Sequence, residues 1–205
     1  MRALAGARIV PLVVIDDEDA AVDLAATLEA SGIACVEVAL RTPSAMAAIA
    51  RISAALPEFA VGAGTVLSAD QVSAAADAGA GFIVSPGLDV PVVERALELG
   101  LDVLPGVATP SEVQRAVGLG LRELKFFPAH VMGGPAGVRA LAGPFPQVRF
   151  MPSGGVDGSN ASMYLDLPAV FAVSGSWVAP RELIAAHHWS GIGELCTAAV
   201  AGIRS

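Results

Sequence analysis

Four segments of the chain, "SGIACVEV", "AGAGFIV", "LGLDVLPG" and "LGLRELKF", carry the same pattern: an Ala/Leu-rich helical stretch ends, a glycine follows, and an apolar strand begins. The glycines are Gly32, Gly79, Gly100 and Gly120; the last three are 21 and 20 residues apart, and the first interval of 47 holds about two such units. Glycine at this place suits the left-handed residue that ends a helix. A unit of that length has room for one strand and one helix. Strands that alternate with helices pair in parallel through right-handed crossovers, because each helix must carry the chain back to the starting edge of the sheet.

Extended to the whole chain, the pattern predicts strands over 8–15, 35–41, 60–66, 82–86, 102–107, 123–128, 148–154 and 170–177. Helices are predicted over 18–30, 43–55, 68–78, 90–98, 110–118, 135–142, 159–165 and 190–203. Eight βα units of this length close into a (β/α)8 TIM barrel of the α/β class, and residues 1–205 are taken as a single domain. An open doubly wound sheet is the structural alternative, but no G-x-G-x-x-G follows the first strand.

With 54% apolar residues and a mean hydropathy of +0.64, the chain is not disordered. Gly, Pro, Asp or Arg interrupts its apolar runs well short of the roughly 20 residues a membrane span needs. Arg8 in "MRALAGARIV" comes too early for the apolar region of a signal peptide, so a cytoplasmic location is expected. A net charge of -8 argues against nucleic acid as a partner, since phosphate backbones call for clustered Lys and Arg. Cys35 and Cys196 read as two small buried hydrophobes rather than a disulfide or metal pair, and His130, His187 and His188 lack metal-site spacing, so no metal is assigned. His187, His188 and Trp189 are expected in a surface or interface turn.

The chain holds eleven arginines and one lysine, Lys125, set in "ELKFFPAH" where a strand should run apolar. An amine can lose its proton and attack a carbonyl; a guanidinium stays charged and is a poor nucleophile. The bland alternative is a lysine left by composition, with its ammonium snorkelling to the surface. Alternation along "CVEVALR" puts Cys35, Glu37, Ala39 and Arg41 on one face, and the same logic turns Lys125 and Phe127 inward. Alternation through Val61 and Ala63 is expected to bring Thr65 inward as well. These charges could form a purely structural ion-pair cluster. Ala39, Ala63, Gly64, Gly87, Gly106 and Gly154 leave little bulk around them, however, and a cavity holding an acid and an amine favours catalysis.

"PSGGV" and "SGSW" close the seventh and eighth predicted strands with small, glycine-rich turns able to aim backbone N–H groups at an anion. Barrels often bind phosphate at these two loops, although glycine-rich turns are also common for steric reasons alone. The acidic run "DDED" at 16–19 is read as the cap of the helix that follows, not as a magnesium site.

In order and spacing, "EVALRT", "GAGTVL", "SPG", "LPGVATPSE", "LKFFPA", "PSGGV" and "SGSW" resemble the bacterial class I aldolases acting on 2-dehydro-3-deoxy-6-phosphogluconate (KDPG) and 4-hydroxy-2-oxoglutarate (KHG). The resemblance covers nearly the whole chain. It implies that Lys125 is the Schiff-base lysine and Glu37 the acid/base, that Arg41 and Thr65 bind the substrate carboxylate, and that Gly154, Gly155 and Ser176 cradle its phosphate. Phe127 and Ser153 complete the substrate-binding set. It further implies release of pyruvate and glyceraldehyde 3-phosphate with neither metal nor organic cofactor. The high apolar content suggests a surface buried between subunits, and the resemblance supplies the number three, a homotrimer. The chain departs from the family pattern at Ala39 and Ser153, where threonine is common, at His130, where glutamate often stands, and at Ser174, where glycine is usual.

Two other classes of function fit parts of this pattern. A sugar-phosphate isomerase or epimerase would use the acid and the phosphate turns but leave the sole lysine without a task. A non-catalytic binding module would bind ligand without turnover.

Overall fold

The computed structural model describes residues 3–203. Its strands are β1 (Ile9–Val13), β2 (Cys35–Ala39), β3 (Ala60–Gly64), β4 (Phe82–Val84), β5 (Asp102–Leu104), β6 (Gly106–Val107), β7 (Glu123–Phe126), β8 (Arg149–Pro152) and β9 (Val173–Gly175). All pair in parallel, in the orders β5-β4-β3-β2-β1-β9 and β6-β7-β8. β5 and β6 are two halves of one predicted strand, interrupted at Pro105, which has no N–H to give the ladder. The bridges Phe150 to Val170 and Ser153 to Ser174 join β8 to the β9 side. The sheet therefore closes into the expected eight-stave barrel.

Around it lie α1 (Ala21–Ala30), α2 (Ala45–Ala55), α3 (Ala69–Asp77), α4 (Val90–Glu98), α5 (Pro110–Gly118), α6 (Gly134–Ala142), α7 (Ala161–Leu165), α8 (Arg181–Ala185) and α9 (Trp189–Gly202). The helix expected from residue 18 begins instead with a 3-10 turn at Glu18–Ala20, and α8 was not expected at all. Ser68, Asp89 and Thr109 cap α3, α4 and α5 by accepting from backbone N–H groups, each cap contributing about 1 kcal/mol. Thr109 and Glu112 do so reciprocally, as a capping box.

The repeated glycines have the predicted conformation: Gly32, Gly79, Gly100 and Gly120 have φ between +71° and +88°. After each, the next residue's N–H reaches back to the helix, Ile33 to Leu28, Ala80 to Ala75, Leu101 to Ala96 and Leu121 to Ala116, at 2.9 to 3.1 Å. This Schellman closure turns the chain from helix into the next strand, which is why the sequence repeat and the barrel repeat coincide.

The core divides in two. Val36, Val38, Val61, Ala63 and Leu124 point away from the barrel axis and pack with helix residues such as Leu24, Ile49, Val92 and Val113. Inside the barrel a smaller cluster of Leu4, Val10, Cys35, Phe82, Val84, Leu104, Met151 and Ala172 fills the end where the strands begin, with Ala3, Ala7, Ala60 and Phe171 against it. The backbone N–H of Ala3 donates to Asp102 Oδ2 at 2.8 Å, tying the start of the described chain across that end. The barrel thus has a solid apolar floor. Among the described residues no helix is long and apolar enough to cross a membrane.

Candidate active site

Above the floor, register decides which side chains enter the lumen. Leu12 and Gly62 flank Glu37, and Gly64 lies beside Ala39. In-register neighbours share a face of the sheet, so Gly62 and Gly64 face inward and Val61 and Ala63 face the helices. The expected route of Thr65 into the site by alternation through Val61 and Ala63 is therefore wrong, and Ala63 is no part of the cavity wall. Thr65 reaches the mouth for another reason. Its φ of +59° takes it out of strand geometry, and its Oγ1 accepts a hydrogen bond from Arg41 Nε at 3.1 Å. A β-branched residue in the left-handed region is strained, a condition that clusters at functional sites.

Gly64 is needed for a different reason: a Cβ there would lie 2.6 Å from Glu37 Cγ and 2.8 Å from Cδ. The glycine leaves the volume that the glutamate side chain occupies. Glu37 is fully buried, and Lys125 reaches it from the far side of the barrel with Nζ 3.3 Å from Oε1 and a side chain only 5% exposed. The lysine does not snorkel. Its in-register neighbours are Gly106 and Met151, so the amine rises between a residue with no side chain and one belonging to the floor. Phe127, half-buried at the rim, places its ring centroid 5.3 Å from Nζ.

Taking two charges from water costs more than a buried pair usually returns, so stability is a poor account of this one. Nor does the pair extend into a three-charge cluster, since Arg41 is exposed at the rim with Thr65. What the arrangement offers is an amine with a proton acceptor in reach, inside a pocket closed below. The other inward nucleophile on β2 is quiet: burial, reinforced by the Glu37 carboxylate, pushes the Cys35 thiol up to about 12. Cys35 and Cys196 are both buried and unpaired, as the sequence suggested.

Ser153, buried, bridges to Ser174, which sets the "PSGGV" and "SGSW" turns side by side. Gly154 and Gly155 have φ of +90° and +76°, a turn that other residues would adopt only under strain. A Cβ on Gly154 would fall 3.1 Å from the Phe127 ring, so the turn lies against the aromatic that flanks the lysine. Exposed His130 covers Gly155 and donates its backbone N–H to the Gly154 carbonyl at 2.9 Å. Ser176 is exposed beyond the second turn and shares with Arg41 a cleft of about 410 Å³, lined also by Leu12, Trp177 and Arg181. The residues foreseen for the two ends of a substrate thus stand on one face of the barrel.

Sequence reasoning missed two features of this face. The hydroxyl of Ser174, itself fully buried, donates to Glu37 Oε2 at 3.3 Å. Its inward direction is readable from alternation with Ser176, but in the sequence alone it stands out only as a departure from the family pattern. The second is the pairing of Arg181, on α8, with Asp16, through Nε at 2.8 Å and Nη2 at 2.6 Å. The guanidinium hydrogen bonds hold the Asp16 carboxyl below its usual value. Of the acidic run, Asp17 makes the expected cap by accepting from the Asp19 N–H at 3.0 Å, while Asp16 pairs with Arg181 and Asp19 with Arg51. Among the described residues no cluster of three or more His, Cys, Asp or Glu is placed to hold a metal. His187 and His188 lie exposed in the turn before α9, and no active-site role is assigned to them.

Residues 1–195 match the family described as KDPG and KHG aldolase. The chain is 41% identical over 196 residues to the KHG/KDPG aldolase of Escherichia coli K12, covering 96% of this chain and 92% of that one. It superposes with a TM-score of 0.93 and 40% identity on the KDPG aldolase of Legionella pneumophila, solved with pyruvate captured as a covalent carbinolamine, with 96% of both chains covered. For the Zymomonas mobilis enzyme solved with 3-phosphoglycerate the values are 0.88 and 39%, covering 97% of this chain and 93% of that one. Likeness of this extent, together with an amine and an acid meeting above a closed barrel floor, leaves no doubt of kinship: the chain belongs to the KDPG and KHG aldolase family, whose enzymes are carbon–carbon lyases.

Proposed function

We propose that the protein cleaves KDPG to pyruvate and glyceraldehyde 3-phosphate through a Schiff base on Lys125. The observation that carries this reading is the buried approach of Lys125 Nζ to Glu37 Oε1 at 3.3 Å. With its proton passed on, Nζ attacks the C2 ketone. Glu37 returns a proton to the carbinolamine hydroxyl, water leaves, and the resulting iminium withdraws electrons from the C3–C4 bond. As that bond breaks, the C4 hydroxyl proton goes to Glu37, directly or through one water, and the aldehyde departs. The enamine left on Lys125 takes a proton at C3, and water hydrolyses the pyruvate iminium to free the amine. Arg41, its Nε anchored by Thr65, offers its remaining N–H groups to the C1 carboxylate and so aims C2 at the amine. Phe127 walls the reacting carbons, and Ser153, Gly154, Gly155 and Ser176 form the phosphate end.

A coupled assay for pyruvate release from a panel of 2-keto-3-deoxy acids tests the activity: KDPG supports the highest kcat/KM, and no release from any member overturns the reading. KHG is the second substrate to test, because the Escherichia coli relative is a KHG/KDPG aldolase. The phosphate assignment has its own measurement. Ser176→Asp places a negative charge at the cradle and raises KM for KDPG about tenfold or more while KM for KHG, which carries no phosphate, moves less than about twofold. Equal losses on both would remove Ser176 from the site.

We also read the protein as a cytoplasmic homotrimer. Support for a subunit contact comes from large apolar side chains left exposed, Val131 at 77%, Leu67 at 61% and Met163 at 58%. Sedimentation at micromolar concentration is expected to give a species of three chains, and a monomer there would dismiss the assembly.

A further inference from the structure

The Glu37 carboxylate is fully buried and, among the described residues, has one hydrogen-bond donor on each oxygen: Lys125 Nζ on Oε1 and Ser174 Oγ on Oε2, both at 3.3 Å. These two donors differ in what the reaction does to them. On the Schiff-base reading above, on which this inference rests, Nζ is consumed: it becomes a carbinolamine nitrogen, then an iminium, then an enamine, and its hydrogen bond to Oε1 changes at each stage. The serine hydroxyl takes no part in bond making. We infer that Ser174 is a positioning residue for Glu37, holding Oε2 still so that Oε1 keeps its aim at the reacting atoms while its partner on the lysine side is transformed.

The fold supports this assignment independently of the single distance. Ser174 lies in β9, in register with Val10 of β1, and it bridges to Ser153 on the other side, so its backbone is fixed by both neighbouring staves. Its side chain, fully buried, has the carboxylate as its hydrogen-bond acceptor. Opposite, Gly64 leaves the space into which the glutamate side chain fits. Glu37 is thereby held from two directions, by shape on β3 and by a hydrogen bond on β9. The other titratable groups near it are Lys125 across the lumen and Cys35 below it on β2; Arg41 lies above at the rim, bonded to Thr65.

Ser174→Ala removes the hydroxyl with little change of volume. The expected result is a fall in kcat of about tenfold with KM for KDPG changed less than about twofold, the split that marks an interaction felt in the transition state rather than in binding. Ser174→Thr, which restores a hydroxyl, recovers much of kcat. The extent of pyruvate adduct trapped on Lys125 by borohydride after long incubation stays that of the wild type, since the amine is untouched. Ser174→Gly, which adds no atoms to the lumen, repeats the kinetic change and separates it from any misfolding of the alanine variant. Kinetics unchanged in both Ser174→Ala and Ser174→Gly, with the wild type still forming the Lys125 adduct, overturn this assignment alone. Absence of that adduct in the wild type overturns the active-site reading and this inference with it.

Discussion

Lys125→Arg is expected to abolish both turnover and the borohydride-trapped pyruvate adduct. The substitution keeps the positive charge beside Glu37 and much of the length, so a role limited to the ion pair at 3.3 Å would survive it in large part. A role as nucleophile would not, because the guanidinium stays protonated and forms no iminium. The fall in kcat is expected to be roughly 10⁴-fold or more, the scale on which loss of a covalent nucleophile leaves only binding and electrostatic contributions. Mass spectrometry of the digested wild-type protein, after pyruvate and borohydride, should find the added mass on the peptide that contains "ELKFFPAH". With one lysine in the chain, the terminal amine is the only other simple site, which makes the assignment unusually clean. Turnover retained in Lys125→Arg would return the lysine to the status of a compositional accident.

Glu37→Gln separates proton transfer from amine chemistry. Glutamine matches the shape against Gly64 and still accepts through its carbonyl oxygen, but it neither takes nor returns a proton. Lys125 stays in place, so a slow adduct with pyruvate should persist, while turnover of KDPG falls by roughly 10²- to 10⁴-fold. Measured side by side, the two variants give opposite patterns, one without adduct and one with adduct but without useful turnover. A Glu37→Gln enzyme within about twofold of the wild type would show that another group, or bulk water, moves the protons.

The barrel and the buried pairing of Lys125 with Glu37 were legible because each rests on a local rule. Helix-ending glycines recur where the backbone needs a left-handed residue, and a charged residue alternating with apolar ones on a buried strand has to face the lumen. Thr65 shows where such rules stop. Simple alternation gave it the wrong path, because the residue leaves strand geometry at φ +59° and a period of two no longer applies. Its partner Arg41 could be named from the strand, but the hydrogen bond between them depends on that departure. Arg181 and Asp16 lie 165 residues apart, and their pairing depends on α8, a five-residue helix too short to leave a periodic trace. Ser174 was the most readable of the omissions. Its face followed from strand period alone, but a serine carries no chemistry until the carboxylate it meets is known.

The apolar floor built from Leu4, Phe82, Leu104 and Met151 makes the barrel a vessel with one doorway. Under the proposed chemistry four things must pass through that doorway: the substrate, the water expelled as the iminium forms, the departing aldehyde, and the water that returns to free pyruvate. None can leave by the far end, so all four share one route. The departing aldehyde and the hydrolytic water therefore share the mouth framed by Arg41, Ser176 and Arg181, and an aldehyde still lodged there stands in the water's way.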